Sequence, residues 1–204
     1  MTRTIVLLIS IAVLLLPVQA AEWETLKNCR LVPNEYNDGD SFRVMHKERE
    51  YIFRLYFADT PESDNSFPER VAEQATHFGI TSERAIEVGV EAKLAVEQLL
   101  ERPFNVVTRW QDGGGWSKMK RQYAFILIDG KDGQKMDDLS SVLIARGLAR
   151  AHGAKVKPPY STLTATEHMG KYKDIEKGAR EAKKGGWDDR VKESTQPLES
   201  GREK

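Results

Sequence analysis

The 204-residue chain is nearly without cysteine: Cys29 stands alone. No internal disulfide can form, so stability must come from an apolar core. Charge of one sign is not in excess either, with 31 basic and 31 acidic residues. That balance argues against a protein that coats nucleic acid by bulk electrostatics, but it leaves room for a local basic cleft. Beyond residue 20 no apolar run is long enough to span a membrane. His46, His77, His152 and His168 lack metal-ligand spacing, so a zinc site is not expected. The glycine-rich stretch DGGGWSK (112–118) is followed by no Walker pattern and reads as a hairpin loop. No internal repeat is visible.

The first twenty residues, MTRTIVLLISIAVLLLPVQA, join Arg3 to an apolar run from Ile5 to Leu16 and end in Val18-Gln19-Ala20. This reads as a secretory signal with a peptidase site, implying a secreted or periplasmic protein. The alternative is an uncleaved anchor tethering the chain to a membrane. Residues 21–187 are long enough for one well-cored domain, and a monomer is expected. Residues 188–204, of which nine are charged and none aromatic, are expected to be a disordered tail. Cys29 lies well after the cleavage site, so it reads as a small half-buried residue near a first strand and not as a lipid attachment point.

Short runs rich in β-branched or aromatic residues predict five strands: KNCRLVP, SFRVMH, EYIFRLYFA, FNVVTRW and RQYAFILID. HKERE (46–50) reads as the hairpin connection between the second and third. Two helices are expected between the third and fourth strands, at 68–79 and 82–102. Gly79 stops the first, and Ser82 is the N-cap of the second. Ala85, Val88, Ala92, Ala95 and Leu99 give the longer helix one face to bury. MDDLSSVLIARG predicts a third helix ending at Gly147, and Thr164 to Lys184 a fourth, with Trp187 pinned to the core. The fold class is α+β, mainly β. This order of elements is that of a five-stranded OB-type barrel with three to four helices.

Three clusters carry candidate chemistry: DGDSF (38–42), FRLYFADTPES (53–63) and KMKRQYAFI (118–126). Taken singly, each has a plain explanation as a turn, a snorkelling arginine or a capping acid. Together they supply oxygen ligands for a hard cation, a carboxylate to activate water, and arginines matched to phosphate oxygens. Those are the parts needed to hydrolyse a phosphodiester.

These motifs, with LIARGLAR after them, resemble the thermonuclease (staphylococcal nuclease-like) family in residue type, order and approximate spacing. The resemblance runs from about Cys29 to Trp187. It implies an OB barrel and a calcium-dependent nuclease that cuts DNA, RNA or both to products ending in 3′-phosphate. It further implies that Asp40, Asp59 and the main-chain carbonyl of Thr60 hold Ca2+ and that Glu62 is the general base. Arg54 and Arg121 would clamp the scissile phosphate, acting more on rate than on ground-state binding. Asp38 reads as part of the turn or as a supporting acid. With so few protein carboxylates, metal affinity is expected to be modest.

The chain departs from that pattern twice. Residues 63–88 form a longer insertion than usual after Glu62, either walling the cleft or lying on the surface. The tyrosines that such enzymes place near the terminal nucleotide are missing; Met119 stands two residues before Arg121, and His152, Trp116 or Tyr160 are candidate replacements. Lys118, Lys120, Lys155 and Lys157 offer a modest basic rim or merely a solvated face. The competing functions are a catalytically silent OB module that binds nucleic acid or another anionic ligand, and a calcium-stabilised envelope protein.

Overall fold

The computed structural model describes residues 22–115, 119–130 and 136–188. The signal stretch, the tail beyond residue 188, Trp116 and Lys118 lie outside them. The described chain is a mixed α+β fold with a six-stranded sheet and four helices. Its strands are β1 (Glu24–Leu31), β2 (Ser41–His46), β3 (Arg49–Leu55), β4 (Ala58–Asp59), β5 (Phe104–Asp112), β6 (Arg121–Asp129), β7 (Met136–Asp138) and β8 (Arg150–Ala151). Its helices are α1 (Pro68–Phe78), α2 (Ser82–Leu99), α3 (Leu139–Ala145) and α4 (Ala165–Glu181).

The sheet closes on itself. β1, β2, β3, β5 and β6 pair antiparallel in the order β3-β2-β1-β5-β6, and a parallel β3–β6 pairing completes a ring of five strands. The five expected strands are the five of the ring. In β1, Leu26 and Cys29 both face inward although three residues apart, because the register shifts between them and Asn28 adopts a φ of 58°. Cys29 is therefore fully buried, not half-buried. Burial pushes its thiol up to about 11, against a backbone hydrogen bond, so it is an inert packing residue.

Several boundaries differ from the sequence expectation. The third strand stops at Leu55, because Phe57 takes a φ of 65° and turns the chain aside. Phe57 is held there by Phe57 N–H to Ala154 O (3.1 Å) and His152 N–H to Phe57 O (3.0 Å). The residues after it form β4, paired with β8, a strand too short to leave a period in the sequence. Met136–Asp138 is not helical but pairs with the end of β6, and Asp138 caps α3. The N-cap of α2 is Thr81, whose hydroxyl accepts from Arg84 N–H, and Ser82 is the first helical residue. α2 ends at Leu99 with Leu100 as its cap, short of residue 102.

Helices α1 and α2 pack against each other beside the ring. α2 buries Ala85, Val88, Ala92 and Ala95 of the expected face, with Gly89 at its centre, and leaves Leu99 half-buried. A Cβ on Gly89 would lie 2.2 Å from the Glu62 carbonyl oxygen, so only glycine lets the chain around Glu62 rest on the helix. Trp187 is buried as expected, its ring 4.5 Å from that of Phe78 and beneath Arg180. No helix among the described residues is long and apolar enough to cross a membrane.

Candidate active site

Strand register brings the three sequence clusters to one end of the ring. Ser41 lies opposite Arg54, and Arg54 lies opposite Tyr123. Asp40 is one residue before Ser41, and Arg121 two before Tyr123, on the same face of β6. Arg121 donates to Ser41 Oγ (3.2 Å) and to Gly114 O (3.0 Å). Asp40, Arg54, Thr60, Glu62 and Arg121 all line one cleft of about 310 Å3, together with Asp38, Pro61, Phe67, Arg70 and Gly115. Three acids and three arginines thus face each other across it. Asp59 lies just beneath, 3% exposed.

Asp59 is the most heavily contacted group. Its Oδ1 accepts from Arg70 Nη2 (3.0 Å) and Arg54 Nη2 (3.4 Å); its Oδ2 accepts from Arg150 Nε (2.8 Å) and Gln74 Nε2 (3.1 Å). Burial alone would raise its carboxyl, but the Arg150 and Arg70 guanidiniums and the Gln74 amide outweigh it and hold the carboxyl below the usual range. Asp40 is treated differently. Burial pushes it up to about 6, because Arg54 at 3.4 Å and the more distant Arg70 do not offset the loss of water and the nearby Asp59 and Glu62 charges. Asp40 is a buried acid still short of positive charge. Asp38 accepts from Asp40 N–H (3.0 Å) and Ser41 N–H (2.6 Å), which makes it the turn residue expected. Its carboxyl is also raised, chiefly by burial and then by Asp40.

The oxygen set suits a hard cation. Arg54 Nη2 stands 3.4 Å from both Asp40 Oδ2 and Asp59 Oδ1, so two carboxylates from separate segments converge on one point of positive charge. The Thr60 carbonyl accepts from Gln74 Nε2 (2.9 Å) and retains a second lone pair. Among the described residues no group of three or more His, Cys, Asp or Glu side chains is arranged to hold a metal ion. Two carboxylates and a carbonyl could hold a hard cation only as a sparse, open set, and both Asp59 oxygens already accept from arginine or Gln74.

Three residues that sequence reasoning did not assign complete the constellation. Gln74 of α1, 1% exposed, donates to Asp59 and to the Thr60 carbonyl, and its Oε1 accepts from Glu62 N–H (3.0 Å). One amide therefore fixes three successive parts of the acidic turn. Arg70 of α1 donates to Glu62 Oε1 (2.6 Å) and bridges it to Asp59. Arg150 of β8 lies opposite Asp59 in register and also pairs with Glu73 (2.9 Å). The insertion is a wall of the cleft, not a surface appendage. Its signal was a polar residue inside an apolar stripe: Gln74 falls between Val71, Ala75 and Phe78 on the buried face of α1.

The other candidates lie elsewhere. His77 pairs with Glu176 (2.8 Å), and His168 bonds Ser161 Oγ (2.7 Å). Tyr160 packs edge-on against Phe125, 5.7 Å between centroids, and neither it nor His152 lines the cleft. Comparison with protein-family models and with curated proteins finds no match.

Proposed function

We propose that the chain is a calcium-dependent nuclease that hydrolyses phosphodiester bonds of DNA, RNA or both, built on an OB-type barrel formed by the five-stranded ring. One observation carries the reading. Acids and arginines from four separate segments, at 40, 54, 60–62 and 121, meet in a single cleft of nucleotide-compatible size. The residue types and their order also resemble the thermonuclease family. Export directed by residues 1–20 belongs to the same proposal.

In this reading Asp40, Asp59 and the Thr60 carbonyl would hold the cation, which would supply Lewis-acid polarisation of a phosphate oxygen. Arg54 and Arg121 bind the remaining phosphate oxygens and strengthen their hold as charge grows in the transition state. Glu62, 21% exposed at its side chain, takes a proton from the water that attacks phosphorus. The bond to the 5′-oxygen breaks, that oxygen takes a proton from solvent, and the 3′-phosphate remains. Gln74 holds Asp59, Thr60 and Glu62 in register, which places the base beside the cation site before substrate arrives.

The binding-module reading has one observation in its favour. Arg70 pairs with Glu62 at 2.6 Å, and a base so held is not free to accept a proton. Nuclease activity requires Arg70 to share itself with substrate phosphate. Digestion of labelled single- and double-stranded DNA and of RNA, with calcium or chelator, decides between the two. Wild type should cut with calcium only, and Glu62→Gln and Arg54→Ala should not. Cutting that persists in chelator, or is unchanged in both variants, defeats the proposal. Binding without cutting selects the module.

A further inference from the structure

Among the described residues the cleft is lined by a single aromatic ring. Phe67 is 56% exposed and stands immediately before α1. Six large apolar side chains are exposed among the described residues, and of these Phe67 is the one that lines the cleft. A scattered surface phenylalanine needs no explanation. This one borders a wall of arginines and carboxylates, where an apolar face serves no packing purpose.

Its mounting is firm. The Phe67 carbonyl accepts from Val71 N–H (3.1 Å), Pro68 sets the first turn of the helix, and Asp64 Oδ1 accepts from Ser66 N–H (2.7 Å) in the loop leading to it. Behind it, α1 is tied to the acidic turn through Arg70 and Gln74. The backbone that carries the ring is thus fixed before a ligand settles on it. Trp110, another exposed ring, is already engaged with Tyr51 and with Glu24 and does not line the cleft.

A flat apolar face beside guanidiniums matches one ligand chemistry closely: a nucleotide, whose base stacks while its phosphate meets arginine. We propose that Phe67 and Arg70 form a subsite for the nucleotide adjoining the scissile phosphate, with Phe67 as its stacking platform. A base must leave its duplex to stack there, so the subsite selects single-stranded or frayed nucleic acid. This rests on the nuclease reading for its substrate class, but it is testable apart from cutting.

Binding is measured first, on the Glu62→Gln protein with a short fluorescein-labelled single-stranded DNA, and with the same strand carrying abasic sites. Adding Phe67→Ala should weaken binding of the base-bearing strand roughly 5- to 100-fold and leave the abasic strand unaffected. Phe67→Trp should restore the loss. Unchanged affinity, or equal loss for both strands, overturns the subsite. In cutting assays Phe67→Ala should raise KM more than it lowers kcat; a loss confined to kcat counts against stacking. If wild type cuts nothing, the nuclease reading falls while the binding comparison still judges the subsite. If wild type cuts and Phe67→Ala matches it in both assays, only the subsite falls.

Discussion

Asp40 and Asp138 are two acids that the fold treats alike in one respect and oppositely in every other. Burial pushes both carboxyls up to about 6. Asp138 is half-buried and meets neutral donors: the Tyr172 hydroxyl donates to one oxygen and Ser140 N–H to the other. Those contacts cap α3 and leave nothing for a ligand. Asp40 opens on the cleft, faces Arg54, and stands near two further acids whose charges raise it. A perturbed carboxyl is thus not by itself a mark of chemistry. What distinguishes Asp40 is its company, a cleft lined by arginines and further acids, where Asp138 has a tyrosine hydroxyl and helix amides.

The largest test of that separation is activity. Glu62→Gln should lower kcat by roughly 10²- to 10⁴-fold, as loss of a general base does. Arg54→Ala should cost about 10²- to 10³-fold in kcat with a smaller change in KM. Asp138→Asn should stay within about twofold of wild type. Comparable kcat losses at Glu62 and Asp138 would erase the distinction.

Metal response should divide the same two acids. Calcium binding only the folded state stabilises it in proportion to the logarithm of its concentration. Wild type should therefore melt higher with calcium than with chelator, and Asp138→Asn should show the same gain. Asp40→Asn should lose most of it, together with activity. A calcium-induced rise in Tm that survives Asp40→Asn would place the ion elsewhere.

How far these roles could be read in advance depends on whether a residue acts through its own segment or through a tertiary partner. Although the roles expected of them came from the family resemblance, Asp40, Arg54, Asp59 and Arg121 sit at or beside strand ends and Glu62 three residues past β4, where turn signals and apolar runs mark the positions. The ring strands are legible for the same reason. Phe57 is not: nothing local announces a phenylalanine at φ 65°, which is held by backbone bonds to 152 and 154. β4 and β8 have two residues each, too few for any alternation to register. Arg150 falls within the LIARGLAR motif, but its role appears only when β8 aligns it with Asp59. Arg70 and Gln74 belong to an insertion whose docking no periodicity reveals, although a buried glutamine in an apolar stripe was a visible hint.

Gln74 offers the next test, intermediate in size. Gln74→Leu keeps the volume but removes two donors and an acceptor from a site that is 1% exposed. Asp59 and Thr60 O lose partners, so stability should fall by about 1–3 kcal/mol. Because the acidic turn loses its register, kcat should fall further than KM rises. Gln74→Glu keeps the acceptor for Glu62 N–H but sets a charge against Asp59, so it should not rescue. A stability loss with unchanged kcat would reduce Gln74 to a packing residue, and the comparison would then rest on Asp40 alone.

The smallest expected effect lies with Asp138. Asp138 has a folded-state pKa of about 6 against an ordinary 3.8. A carboxyl raised on folding favours the protonated protein, so its contribution is complete below about pH 4 and is lost as pH rises through 6. Measured in chelator, wild-type stability should decline across that window, with Asp138 responsible for about 1–2 kcal/mol of the fall. Asp138→Asn cannot ionise, yet its amide oxygen still accepts from Ser140 N–H or Tyr172 O–H. Its unfolding free energy should therefore vary less between pH 4 and pH 7. Some slope must remain, because Asp38 and Asp40 are raised in the same direction. An unaltered slope would mean that Tyr172 and the helix amides already satisfy an ionised Asp138 in full, and the likeness between the two acids would be only apparent.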